Sequence, residues 1–172
     1  KRTQNYVKVL AKQLKNHPRF QNELNDEIID LLYMSAPLHD LGKIAVPDNI
    51  LHKAGKLTDE EFAEMKKHTN YGHDALRITE QKLGENSFLR YAREIAYTHQ
   101  EKWDGSGYPN GLKGDAIPLS GRLMALADVY DALISKRVYK PPFSHEKAVE
   151  IILEGKGTHF DADIVDAFVA LE

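Results

Sequence analysis

The chain has 172 residues, a length that suits one domain with a substantial core. Apolar residues make up 42% and charged residues 28%, and the net charge of −3 gives no electrostatic signature of DNA binding. Cysteine is absent, which excludes disulfides and Cys-ligated metals and favours a cytoplasmic location. No apolar run is long enough to span a membrane. Eight histidines are the unusual count, and they direct the search for a site.

The first half of the chain predicts three helices. One apolar stripe covers residues 1–16, and a second runs over 28–36 and leads into "HDLGK". "TDEE" at 58–61 is a capping box, and we expect the helix that it opens to end at His68. Between the second and third helices, "IAVPDNILHKAGK" at 44–56 is rich in turn formers and predicts a loop.

The second half predicts four more helices. A stripe over 88–95 leads to His99, and the strongest stripe of the chain covers 119–135. Ser144 and Asp161 are candidate N-caps for two closing helices. No alternating strand pattern of useful length appears. The sequence therefore predicts one all-α domain of about seven helices.

Inward-facing histidines and acids recur at the ends of these helices. A single histidine on an apolar face is usually a satisfied core residue, but His39, His68 and His99 repeat the arrangement on separate helices. Asp128 lies inside the most apolar helix, where an ionised carboxylate needs a partner or a metal ion. Together with Asp40, these side chains predict a mixed imidazole–carboxylate metal site, suited to Fe, Mn, Zn or Ni.

Other polar segments are interpreted as surface or loop. His73 and Asp74 repeat the His-Asp pair, but they lie in a polar stretch and are read as a solvated face. The glycine-rich segment 103–117 is not a dinucleotide-binding loop, because no strand precedes it and the third glycine position holds Asn110. Nucleophile motifs such as G-x-S-x-G are absent.

Five motifs, taken in order, resemble the HD-GYP domains, and the match covers essentially all of residues 1–172. They are "HDLGK", "MKKHTNYG", "HQEKWDGSGYPNGLKG", "RLMALADVYDAL" followed by "SKRVYK", and "GTHFDADIVDAF". The resemblance implies an all-α HD-domain bundle with a metal site in its core, within the HD metal-dependent phosphohydrolase superfamily. It also implies hydrolysis of a bacterial cyclic dinucleotide, typically cyclic di-GMP, to linear pGpG and in some members onward to GMP.

The resemblance further implies roles for individual residues. Metal ligands are implied at His39, Asp40, His68, His99 and Asp128, with Asp40 bridging two divalent ions. Iron is the preferred metal, with manganese, nickel and zinc as alternatives. Substrate contacts are implied at Lys43, Tyr108, Arg137 and Lys140, with Lys43 on the scissile phosphate. The expected reaction is in-line attack on phosphorus by a metal-activated hydroxide, with Asp40 and Lys43 as the catalytic pair.

The chain departs from the family pattern after His99, where most active relatives have a second histidine and this sequence has Gln100. A neutral amide is a poor ligand for these metals, so we expect Gln100 to hydrogen-bond beside the ions instead of ligating them. Two alternatives remain: a degenerate HD-GYP domain acting as a signalling or interaction module, and a generic HD nucleotide phosphohydrolase.

The context of the domain is also an expectation from the family. The chain begins at "KRTQNYV" without an initiator methionine, and we expect a fragment that lacks an upstream receiver or other sensory domain. A receiver would make the protein a response regulator in two-component signalling, and a diguanylate cyclase is a candidate partner.

Overall fold

A computed structural model describes residues 2–135 and 141–171 of the chain. Within these ranges there are nine α-helices, here numbered in chain order: α1 (Arg2–Leu14), α2 (Asp26–Ser35), α3 (Asp48–Leu51), α4 (Asp59–Lys66), α5 (His68–Leu83), α6 (Ser87–Thr98), α7 (Leu119–Ile134), α8 (His145–Glu154) and α9 (Ala162–Val169). Short 3-10 helices occupy Ala36–Leu38, Leu41–Ala45 and Gly114–Ala116. The described residues contain no β-strand, so the all-α prediction is confirmed. None of the described helices has the length and apolarity needed to cross a membrane.

Two of these helices exceed the seven predicted. α3 is a single turn inside the segment predicted as loop, and α5 is a helix of 16 residues that the sequence does not announce. His68 therefore begins α5 and does not end α4, which stops at Lys66. No apolar stripe marks α5, because the residues that it buries are His68, Thr69, Gly72 and Leu76.

The predicted helix starts agree with the structure. Thr58 and Glu61 form a complete capping box at α4, with each side chain bonded to the backbone of the other. Ser144 caps α8 by accepting the N–H of Lys147, and Asp161 caps α9 by accepting the N–H of Asp163. These contacts satisfy backbone donors that a helix cannot satisfy internally.

Two hydrophobic clusters hold the helices together. The larger joins α1, α2, α7, α8 and α9 around fully buried side chains such as Phe20 and Leu123. The smaller joins Leu76 of α5 to three residues of α6. α7 is buried from Leu119 to Ala127, and Asp128 is its first partly exposed residue. The apolar helix α7 thus places the carboxylate of Asp128 at the edge of the core.

Two glycines allow the close approaches that assemble the site. A Cβ on Gly42 would lie 1.9 Å from the carbonyl oxygen of His68, so only glycine lets the 41–45 turn lie against α5. A Cβ on Gly121 would lie 2.0 Å from Oγ1 of Thr98, so α7 packs directly against the end of α6. Both contacts lie beside histidines that the sequence predicts as ligands.

Candidate metal centre

The five predicted ligands converge: four lie at helix ends or in the turn after α2, and Asp128 lies inside α7. We call His39, Asp40, His68, His99 and Asp128 the metal cluster. Asp40 lies at its centre. Its Oδ1 is 3.6 Å from Nε2 of His68 and 3.7 Å from Nε2 of His99, and its Oδ2 is 3.3 Å from Nε2 of His39. Asp128 completes the group, with Oδ1 3.6 Å from Nε2 of His39.

The backbone orients all three imidazoles in the same way. Nδ1 of His39 lies 2.8 Å from the carbonyl oxygen of Ala36, and Nδ1 of His68 lies 2.8 Å from that of Met65. Nδ1 of His99 lies 3.0 Å from the carbonyl oxygen of Ile95. Because a carbonyl only accepts, each Nδ1 must carry the proton, and in the neutral ring Nε2 keeps its lone pair. The lone pairs of His68 and His99 therefore face Oδ1 of Asp40, and Nε2 of His39 faces Oδ2.

Asp40 has one satisfied and one unsatisfied oxygen. Lys43, one turn along, places its Nζ 2.6 Å from Oδ2. Oδ1 is buried and has no hydrogen-bond partner, because the two imidazole nitrogens nearest to it are too distant and carry lone pairs. A buried carboxylate oxygen without a donor is rare in folded proteins and calls for a cation.

The donor set of the metal cluster fits a divalent transition metal. Nε2 atoms of His68 and His99 and a carboxylate oxygen of Asp40 all lie within 4.8 Å of one another. Imidazole and carboxylate together suit Fe, Mn, Ni or Zn, and the Nδ1–H contacts to carbonyls are the outer bonds that ligating histidines usually make. The residues present therefore fit the predicted metals.

The pKa values of His39 and His68 in the metal cluster shift in opposite directions. Burial lowers the pKa of His39, but hydrogen bonding to Asp128 and Asp40 outweighs it and raises this pKa to about 10. Burial lowers the pKa of His68, which keeps that ring neutral. For Asp40, burial raises the pKa, whereas His39, His99 and Lys43 together hold it far below its usual range. Without a metal ion, a proton on His39 fills the position of a cation.

Tyr108 lies at the mouth of the cluster. Its ring centroid is 6.4 Å from that of His68, in an edge-to-face arrangement. Burial, followed by the carboxylates of Asp40 and Asp128, raises the pKa of Tyr108 to about 12, so the phenol stays protonated and is a hydrogen-bond donor. The Tyr108–Pro109 peptide bond is cis.

The remaining predicted residues divide into two groups. Gln100 follows the cap of α6 and is half-buried, and its carbonyl oxygen accepts the N–H of Tyr108 at 3.1 Å. Its side chain makes no hydrogen bond to any described residue, so its predicted role beside the ions stays a prediction. Arg137 and Lys140 lie outside the described residues.

The sequence did not identify the residues that fix the 103–117 loop. Glu101 is buried, and its two carboxylate oxygens accept the N–H groups of Asn110 and Leu112 at 2.8 and 3.0 Å. "HQEKW" places an acid just before a glycine-rich turn, which is a weak indication of this role. From sequence alone, however, an acid that binds loop N–H groups cannot be distinguished from an acid on the surface. A second group ties the loop to the rest of the fold. It consists of Arg19, Asp115, Arg122 and Asp161, which with Glu101 we call the loop anchor.

Ion pairs link the members of the loop anchor other than Glu101. Nη1 of Arg122 is 2.8 Å from Oδ2 of Asp161, and Nη1 of Arg19 is 2.8 Å from Oδ1 of the same carboxylate. Both guanidinium groups also reach Asp115 within the loop. They lie over the ring of Trp103, with their central carbons 5.1 and 5.8 Å from its centroid. The loop is therefore a folded structure with its own charged support.

Comparison with known proteins identifies the family of the chain. The HD domain family profile matches residues 1–164. The chain belongs to the HD domain family. This HD domain is 63% identical over 171 residues to a "Cyclic di-GMP phosphodiesterase" of Vibrio cholerae serotype O1, a match that covers 99% of the domain and 35% of that protein. It is 50% identical over 137 residues to the "3'3'-cGAMP-specific phosphodiesterase 2" of the same organism, with 80% and 25% covered.

A solved structure shares the fold. The HDG"Y"P protein from Bdellovibrio bacteriovorus superposes with a TM-score of 0.66 over 98% of the HD domain and 51% of that chain, at 20% identity. The HD-GYP resemblance carried by the five motifs is thus confirmed. The HD domain spans 35% and 25% of the length of the two Vibrio cholerae relatives.

Proposed function

We propose that this HD domain is a metal-dependent phosphodiesterase that hydrolyses a cyclic dinucleotide, with cyclic di-GMP as the primary substrate and linear pGpG, then GMP, as products. The observation that carries the proposal is the buried, partnerless Oδ1 of Asp40, which faces Nε2 of His68 and of His99. The names of the Vibrio cholerae relatives support the choice of substrate class.

Asp40 would hold one ion on each of its two carboxylate oxygens. His68 and His99 face Oδ1, whereas His39 faces Oδ2 and leads to Asp128, so the carboxylate has a separate set of partners on each oxygen. We assign all five residues as ligands, with Asp40 as the bridge, and iron as the preferred metal over manganese, nickel or zinc. When bound, such ions activate a water for attack on phosphorus and polarise the phosphoryl oxygens.

The chain's own residues bind and orient the substrate. Lys43 is partly exposed and pairs with Oδ2 of Asp40, so binding of an anionic phosphodiester gives its ammonium a second acceptor at the same place. Tyr108 donates its phenolic proton toward the substrate from the loop side. Arg137 and Lys140 act as further cationic contacts. Loading the ions requires loss of the proton that Asp128 and Asp40 hold on His39, so uptake should release protons.

Gln100 supports the site without ligating it. It adjoins His99 and offers a neutral amide, which hydrogen-bonds a nearby water more readily than it coordinates iron or zinc. In Gln100→His, the second ion should bind more tightly and with narrower metal choice. Apo-protein titration that gives the same stoichiometry and affinity for both versions would assign Gln100 to the protein scaffold alone.

The proposed setting of the domain rests on its resemblance to the HD-GYP domains. We propose that residues 1–172 act in the cytoplasm as one domain of a longer response regulator in two-component signalling, controlled by an upstream receiver or sensory domain, with a diguanylate cyclase as a partner. Co-purification of the full-length protein with a cyclase, and a change in hydrolysis on phosphorylation of a receiver, are the two measurements that test this setting.

One experiment tests the proposed reaction. Metal content of protein purified without chelator is measured by mass spectrometry, and the same sample is assayed with cyclic di-GMP, 3'3'-cGAMP and bis(p-nitrophenyl) phosphate. We expect about two ions per chain and hydrolysis that a chelator abolishes. Full-rate hydrolysis by metal-free protein contradicts the mechanism. Metal binding without dinucleotide hydrolysis favours the interaction-module alternative, and hydrolysis of mononucleotides alone favours a generic HD phosphohydrolase.

A further inference from the structure

α4 is held in place by polar contacts instead of core packing. None of its residues is buried. At its start, Lys53 pairs with Glu61 of the capping box at 2.5 Å. At its end, Glu64 accepts the Tyr71 hydroxyl at 3.0 Å and pairs with Lys67. Phe62 of α4 belongs to neither hydrophobic cluster and remains 46% exposed.

Phe62 nevertheless lies beside the metal cluster. Its ring is edge-to-face with Tyr108 at 6.3 Å between centroids, and Tyr108 in turn contacts His68 at 6.4 Å. Lys66 extends over both rings, with Nζ 5.2 Å from the centroid of Phe62 and 5.9 Å from that of Tyr108. The spacing of Phe62 and Lys66 on one helix face explains their mutual contact. It does not explain the convergence on Tyr108, which comes from a separate loop.

We propose that Phe62 and Lys66 form a nucleobase subsite selective for guanine, an inference that rests on the proposed phosphodiesterase function. A cyclic dinucleotide carries two bases outside its phosphodiester ring, so a base extends away from the metals when one phosphodiester lies on them. An exposed aromatic ring stacks on a base of any kind. A lysine ammonium beside it hydrogen-bonds O6 and N7 of guanine, whereas adenine offers a donor at the corresponding position.

The two residues thus have separable contributions. Phe62 provides affinity without base choice, because every base has a π face. Lys66 provides the choice, because only guanine presents two acceptors to it. A purely structural role predicts the opposite pattern: loss of Phe62 would displace Tyr108 and reduce turnover of every substrate alike.

The test compares substrates with and without bases. Phe62→Ala is expected to raise KM for cyclic di-GMP by about 5- to 100-fold, the range of one lost base stack, and to lower kcat/KM far less for bis(p-nitrophenyl) phosphate. Phe62→Tyr should restore the wild-type KM and Phe62→Leu should not. Ile78→Ala is the matched control, because Ile78 is 45% exposed and lies ten residues beyond His68 on α5.

Base choice is measured with cyclic di-GMP and cyclic di-AMP. Lys66→Met is expected to reduce the ratio of their kcat/KM values by about 5-fold or more, whereas Lys67→Met, which removes a charge paired with Glu64, should leave the ratio unchanged. Equal losses of Phe62→Ala on all substrates, or an unchanged ratio in Lys66→Met, overturn the subsite. These outcomes require an active wild type, so they differ from failure of the proposed function, in which wild-type protein hydrolyses no cyclic dinucleotide and binds none in calorimetry.

Discussion

The metal cluster and the loop anchor both contain buried charged side chains, but only the metal cluster leaves a carboxylate oxygen without a partner. In the loop anchor, each oxygen of Glu101 accepts a backbone N–H, and Asp161 is bound by two guanidinium groups. In the metal cluster, Oδ1 of Asp40 has no donor, and the imidazoles of His68 and His99 face it with lone pairs. The anchor is closed by the protein itself, whereas the cluster is complete only with cations.

The difference shows what identifies a functional site. Burial of a charged residue does not, because Asp161 is more deeply buried than Asp40. An isolated unsatisfied atom does not either, since Nε of Arg122 also lacks a partner, although its Nη1 is held by two carboxylates. The informative feature is an unsatisfied acceptor surrounded by further acceptors, because only a cation can satisfy such a group.

The largest expected effect, on metal binding and turnover, comes from replacing Asp40. Asp40→Asn should abolish binding of both ions and lower turnover by at least about 1,000-fold, because metal ions contribute several kcal/mol to stabilising such transition states. A chelator should lower the melting temperature of wild type and leave that of Asp40→Asn unchanged, because only bound ions stabilise the folded state. Mass spectrometry, an activity assay and thermal denaturation check the three parts. Wild-type metal content in Asp40→Asn would contradict the assignment of Asp40 as the bridge.

Much of this region was predictable, and the reasons are local. Helix ends carrying histidines are visible because apolar stripes lead to His39 and His99, and Asp128 stands out inside an apolar helix. α5 was not visible, since a helix that faces a site buries His68, Thr69 and Gly72 instead of leucines. The loop anchor was not visible either, because Arg19 and Asp161 are 142 positions apart in sequence.

The paired charges of the loop anchor should contribute to stability and not to metal binding. Asp161→Asn removes the buried carboxylate that Arg19 and Arg122 share and leaves Arg122 only the more exposed Asp115. The loss of unfolding free energy should therefore be about 3 kcal/mol, the lower end of the range for a broken buried ion pair. Asp163→Asn is the matched control: its carboxylate pairs with the same Arg19 but is 37% exposed, so the loss should stay below about 1 kcal/mol. Urea denaturation measures both. If Asp161→Asn lowered metal content while retaining stability, the distinction between the two regions would be wrong.

Glu101→Gln should give a smaller effect confined to the loop. One of the two accepting oxygens becomes an amide N–H₂ that faces a backbone N–H, so one hydrogen bond is lost and a donor is left unpaired, at about 1–3 kcal/mol. Because the loop carries Tyr108, KM for a cyclic dinucleotide should rise along with the loss of stability. Exposed Glu85→Gln serves as the control. A stable variant with unchanged KM would mean that the loop does not depend on Glu101.

The smallest expected effect is on the pH dependence of stability, and it comes from His159, which contacts the start of the 103–117 loop. His159 stacks on Phe160 with 4.1 Å between ring centroids, and its carbonyl oxygen accepts the N–H of Trp103. Burial, followed by the charge of Lys102, lowers the pKa of His159 to about 4. The unfolded chain, with an ordinary histidine pKa near 6.5, binds the proton more strongly, so unfolding free energy rises with pH between these values.

The sign can be tested by a substitution that removes only the titration. As pH falls from about 6.5 to 4, wild type should lose roughly 1–2 kcal/mol from this group, because water screens part of the effect on a half-exposed ring. His159→Phe keeps the stacked ring and the carbonyl that Trp103 uses, so this share of the acid sensitivity should disappear. His68 has a lowered pKa too, so the quantity to compare is the difference between the two proteins, measured with chelator present. Identical pH profiles of unfolding free energy would show that His159 is protonated as readily in the folded domain as in the unfolded chain. The contact between His159 and the loop would then not be acid-sensitive.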